Sequence, residues 1–166
     1  MKVFNNVKKI IMGGCLLAAV CSIFGCKVLE DKIIASLGTY KKCEKYSKGE
    51  FQDYTDYEKY YYNSVDFTDN KYFEKINDSD LSEINECLDD YESCIESYRE
   101  NDANCKIAVN YDFDRGIIDS EDYIYFESKK ETFTKEDGTT DTTLVKYDIY
   151  FFDTQTQILY HFHNNI

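Results

Sequence analysis

The sequence predicts an α+β domain, with helices first and a four-stranded antiparallel meander after them. Three observations carry the prediction. Leu81, Ile84, Leu88, Tyr91, Ile95 and Tyr98 recur at steps of three and four, the period of a helix with one buried stripe. The period then drops to two, with Cys105, Ile107, Val109, Tyr111 and Phe113 alternating with polar residues. Finally, two turn signals, Asp137-Gly138 and Asp153–Thr156, cut the last third into strand-length runs.

In chain order, Val28 to Lys48 reads as a helix on Leu29, Ile33, Leu37 and Tyr40. Glu30 and Asp31 lie in its first turn, lysines lie near its end, and Gly49 is the stop. Phe51 to Asn63 reads as a second helix, although Tyr60-Tyr61-Tyr62 would also suit a strand. Ser64 to Thr68 is a short strand and Asn70 to Ile76 a helical turn. The clearest element is an amphipathic helix from about 80 to 100, capped by Ser79 or Asp78. Its 3-4 spacing does not continue beyond it, which favours packing on a sheet over a coiled coil. Strands are expected at 105–113, at 123 to about 133, at 145–151 and at 158–162. In the last, Ile158, Tyr160 and Phe162 face inward and the opposite face is solvated. This element order resembles the cone-shaped nuclear-transport-factor and cystatin-like fold, in which a bent sheet wraps a helix. The resemblance is one of order only, and such cones host enzymes and inert binding modules alike.

The N-terminus carries a separate signal. Residues 1–9 hold Lys2, Lys8 and Lys9 and no acid, and residues 10–25 hold no charge. That apolar run is shorter than the roughly 20 residues a permanent span needs. It ends Ile23-Phe24-Gly25-Cys26. These residues resemble the lipobox of bacterial lipoproteins: Ile23 and Gly25 match it, and Phe24 departs from the usual small residue. The resemblance covers the first 26 residues. It implies cleavage between Gly25 and Cys26 and a diacylglyceryl group on the Cys26 thiol, with residues 1–25 as signal peptide. Residues 26–166 are then one extracytoplasmic domain, held to the cell membrane by lipid.

The formal charge of −13 becomes −16 once the three signal lysines are removed. That argues against nucleic acid, whose phosphates need Lys and Arg, and against lying flat on an anionic bilayer. The partners expected are the membrane, through the lipid, and an unidentified protein or small ligand.

No motif supports an activity, a catalytic residue or a cofactor. Asn110 to Glu121 comes close to a calcium loop, with Asp112, Asp114 and Glu121 in oxygen-donor places, but Arg115 stands where the sharp bend needs glycine. A plain hairpin turn at Asp114-Arg115-Gly116 is the simpler reading. His161 and His163, the only histidines, share one strand face in the geometry of a weak metal pair, with no third ligand evident. Cys43, Cys87, Cys94 and Cys105 remain in the mature chain, an even number that suggests two disulfides after export. Cys87 and Cys94 are about 10.5 Å apart along one helix and cannot pair with each other. The preferred pairing is Cys43–Cys87 with Cys94–Cys105. The alternatives are Cys43–Cys94 with Cys87–Cys105, and four reduced thiols. The expectation is a lipid-anchored, non-catalytic binding module. The alternatives are a small enzyme with a pocket inside the cone and an accessory lipoprotein of a larger envelope complex.

Overall fold

Strand pairing, rather than helical spacing, organises the segments 42–50 and 53–61. The computed structural model describes residues 31–50 and 53–165. The helix expected from Val28 to Lys48 is reduced to one turn, α1 (Lys32–Ala35), begun by Asp31, whose Oδ1 accepts from the Ile33 N–H at 2.8 Å. α1 lies in a unit that ends at Ala35, and a second unit starts at Ser36.

In that second unit β1 (Lys42–Glu50) and β2 (Asp53–Tyr61) pair antiparallel, where the sequence led one to expect the end of the first helix and most of the second. β1 is a sheet edge, so Lys42, Lys45 and Lys48 stay wet and resemble a helix surface in sequence. Cross-strand partners decide the matter: Tyr46 lies opposite Tyr57 with rings stacked 6.4 Å apart, and Glu44 lies opposite Lys59. A weak helical preference yields to such pairing. Gly49 is a strand residue, not a helix stop. Its φ is +149°, and a Cβ there would sit 2.2 Å from the Asp53 carbonyl oxygen.

Residues 64–68 form loop instead of the expected strand. The helical turn expected at 70–76 is a bend, in which Asn70 Oδ1 accepts from the N–H groups of Tyr72 and Phe73, leading to β3 (Glu74–Lys75). The long helix α2 (Asp78–Asn101) is where the sequence puts it. Its cap is Asn77, whose Oδ1 accepts from Ser79 N–H at 3.0 Å, and not Ser79 or Asp78. The strand expected at 105–113 is a short helix, α3 (Lys106–Asn110). Ile107 and Ala108, neighbours in sequence, are both buried there, while Val109 is 63% exposed, which no alternating strand allows. The hairpin turn expected at 114–116 is a 3₁₀ turn (Arg115–Ile117).

β4 (Tyr123–Thr134), β5 (Thr140–Asp153) and β6 (Ile158–Asn165) follow the expected meander, with a bulge at Lys129/Lys130. The turn at Asp137-Gly138 forms with Gly138 at φ +83°. The sheet therefore has six strands rather than four, all antiparallel, in the order β1-β2-β6-β5-β4-β3, and the long helix follows the first strands instead of preceding the sheet. Among the described residues no helix is long and apolar enough to cross a membrane.

Both faces of this sheet are covered. On one, Ile84, Leu88, Tyr91 and Ile95 of α2 pack with Tyr57, Ile149, Phe151 and Phe162 in the main core. Each such side chain contributes about 1.5–3 kcal/mol by burial. On the other face, Tyr60, Tyr62, Phe152 and Leu159 are buried as well. Phe67 lies over that half, stacked 3.9 Å from Tyr123, and Tyr40 meets Tyr60 at 5.1 Å. The face expected to be solvated behind Ile158, Tyr160 and Phe162 is thus closed at one end by aromatics. At its other end lies a group of charged and imidazole side chains.

Candidate functional site

Antiparallel register builds this group. Asp148 of β5 lies directly opposite His163 of β6, and His161 lies opposite Glu58 of β2 on the other side. Side chains two apart on a strand share a face, so four donor-rich residues from three strands converge. Asp148 Oδ1 meets His163 Nδ1 at 2.6 Å and His161 Nε2 at 3.2 Å. His161 Nδ1 meets Glu58 Oε2 at 3.1 Å, and Tyr60 donates its hydroxyl to that same oxygen at 2.6 Å. Lys45 pairs with Glu58 at 3.0 Å, and Lys146 approaches Asp148 at 3.6 Å. Two rings shelter the imidazoles: Tyr150 stacks on His161 at 4.1 Å, and Tyr54 on His163 at 4.6 Å.

The electrostatics follow from that geometry. Burial alone would push the Glu58 carboxyl up, but the hydrogen bonds from His161 and Tyr60 hold it down at about 2. Asp148 is likewise held well below the carboxylate range, burial being outweighed by His161 and His163. Burial opposes the charged form of His161, yet its bonds to Asp148 and Glu58 raise its pKa above the ordinary histidine value. Asp56, beside them, is raised, chiefly by burial. Each ring nitrogen of His161 thus faces a carboxylate, which favours its charged form. His163 differs. It is 5% exposed, and its Nε2 is buried with no hydrogen-bond partner among the described residues. Leaving a buried polar atom unpaired costs about 1–3 kcal/mol. Among the described residues Asp148, His161 and His163 form a metal-compatible group, with ligand atoms within 4.8 Å of one another.

The sequence indicated the two histidines and missed Asp148 and Glu58. Asp148 was within reach, because the Asp153–Thr156 turn pairs Asp153 with Ile158 and so sets Asp148 against His163. Glu58 carried no signal while its strand read as a helix.

The calcium candidates go to three separate contacts. Asp112 accepts from the Tyr57 hydroxyl at 2.7 Å and from Lys59 Nζ at 2.8 Å. Asp114 caps the 3₁₀ turn through Gly116 N–H, and Glu121 pairs with Lys75 at 2.7 Å. Cys43, Cys87, Cys94 and Cys105 are free thiols in the structure. Cys43 shares the outer sheet face with its strand partner Tyr60, whereas Cys87 belongs to the core under α2. The argument from two antiparallel helices for joining these two no longer applies. Gly25 and Cys26 lie outside the described residues. No family model, no curated protein and no solved structure matches the chain.

Proposed function

We propose that this chain is a lipid-anchored module on the extracytoplasmic face of a bacterial cell membrane, which binds a ligand through a surface and does not turn over a substrate. One observation carries the binding reading. A groove of ≈ 290 Å³ lies between the start of α2 and the sheet, along Glu83, Ile84, Ile124 and Phe126, but the main core, where a cone-shaped enzyme would keep its pocket, holds a cavity of only ≈ 10 Å³ lined by Ile84, Leu88, Ile149 and Phe162. That is room for about one water and no substrate. The group of Glu58, Asp148, His161 and His163 lies on the other side of the sheet. Three strands precede the long helix, an element order different from the one that suggested the cone.

The anchor rests on Ile23-Phe24-Gly25-Cys26 following a short uncharged run. Two acyl chains on Cys26 would hold the domain where one chain binds only marginally. Labelling cells with an alkynyl fatty acid tests it. The full chain should take up label and partition with membranes, and Cys26→Ala should do neither. Equal labelling of both chains refutes the anchor.

A further inference from the structure

We propose that Asp148, His161 and His163 form a site for one divalent transition-metal ion, with Glu58 as the positioning residue for His161. The ligands are His161 Nε2, Asp148 Oδ1 and one ring nitrogen of His163. The proposal names a ligand for the binding module. It rests on that reading for its setting alone, since lipid labelling and metal counting can each fail without the other.

The argument starts from the donors. Two imidazoles and a carboxylate suit zinc and its first-row neighbours, and oxygen-seeking calcium and magnesium poorly. In a zinc site with bonds near 2.1 Å, ligand atoms stand about 3.4 Å apart. Here His161 Nε2 and His163 Nδ1 already lie 3.2 and 2.6 Å from the same Asp148 oxygen, and all three ligand atoms fall within 4.8 Å. Small side-chain rotations close the remainder, and the strands that carry them need not move.

Glu58 supplies the outer support such sites use. By accepting from His161 Nδ1–H at 3.1 Å it leaves Nε2 as the coordinating nitrogen, and the Tyr60 hydroxyl fixes the Glu58 oxygen in turn. On binding, the metal takes the place of the Nε2 proton, which passes to solvent.

The second observation is His163. In an ion-pair network with no other purpose each buried donor and acceptor finds a partner. His163 has one nitrogen on Asp148 and a second, buried, with none among the described residues. Stacked on Tyr54 and 6.4 Å from its neighbour His161, the ring is held beside Asp148 with one nitrogen left over, and a half-turn of the ring would offer either nitrogen to the same place.

The test uses the untagged full-length chain in detergent. Dialysis against about 10 µM free Zn²⁺ fills any site of micromolar or tighter affinity, and elemental analysis counts the bound metal. Roughly one ion per chain is expected. Asp148→Asn and His163→Gln should weaken binding at least 100-fold, Glu58→Gln about 10-fold to 100-fold, and Glu121→Gln not at all. The chain has two histidines, so ring ¹⁵N spectra of the unaltered protein give a readout that needs no variant: both rings must shift on adding Zn²⁺. Substoichiometric metal, unchanged affinity in Asp148→Asn and His163→Gln, or zinc that leaves either ring unmoved overturns the proposal. Should those variants fail to fold by circular dichroism, the ring spectra decide alone.

Discussion

Replacing Asp112 with Ala tests whether this carboxylate holds the fold together. Its two oxygens serve different partners: Oδ1 accepts from the Tyr57 hydroxyl at 2.7 Å and Oδ2 from Lys59 Nζ at 2.8 Å. Tyr57 is fully buried, and its hydroxyl would lose its acceptor, a loss of about 1–3 kcal/mol. Lys59 keeps Glu44 at 3.1 Å, and Asp112 itself is largely exposed, so that pair adds no more than about 1 kcal/mol. Asp112→Ala should therefore destabilise by about 2–3 kcal/mol, read as a lower urea midpoint at unchanged slope. Asp112→Asn keeps an acceptor for Tyr57 and should cost about 1 kcal/mol. In a Tyr57→Phe background, with no hydroxyl to strand, the cost of Asp112→Ala should fall below about 1 kcal/mol. A cost that persists undiminished in that background, or one below about 0.5 kcal/mol in the unaltered protein, would refute the reasoning.

Two other outcomes follow from single residues. Burial pushes the Cys87 thiol up to about 12, so at pH 8 iodoacetamide should alkylate exposed Cys43 quickly and Cys87 only after urea unfolding; comparable rates would contradict its burial. Because the unfolded thiol ionises near 8.5, the stability Cys87 contributes is complete below that pH and declines as pH rises towards 12. Gly49→Ala places a Cβ against the Asp53 carbonyl at a φ of +149°. It should lower stability by at least about 2 kcal/mol, and a neutral midpoint in urea would show that the hairpin adjusts freely.

The parts of the fold legible in the sequence are those with one buried side and one wet side. α2 shows its stripe because Ile84, Leu88, Tyr91 and Ile95 meet the sheet while Glu86 and Ser93 face water. β5 and β6 show theirs through alternation and through turn chemistry at Gly138 and Asp153. β2 gives no such signal. Thr55, Tyr57 and Lys59 are buried on one face and Tyr60 on the other, so the period of two dissolves into a run of tyrosines. β1 fails for the opposite reason: exposed almost throughout, it offers no apolar period at all. In α3 the alternation of Cys105, Ile107 and Val109 is accidental, since Val109 points to water. The candidate site divides in the same way. The histidine pair is local and visible, Asp148 is one hairpin away, and Glu58 depends on β2, which cannot be seen before the sheet is assembled.

The strand order has a consequence for how the chain comes to be folded at all. β6, the last of the six strands in chain order, is third across the sheet, with β2 on one side and β5 on the other. Before it arrives, the molecule holds two separate ribbons, β1–β2 and β3–β4–β5, each with a raw edge open to pairing. β6 is the seam that joins them, through contacts spanning about a hundred residues of sequence, such as Tyr57 with Phe162. Long-range closure of this kind comes late, because the loop entropy must be overcome first. Trimming β1 would remove a margin. Stopping before Ile158 would leave two unpaired ribbons exposing the edges from which aggregates grow.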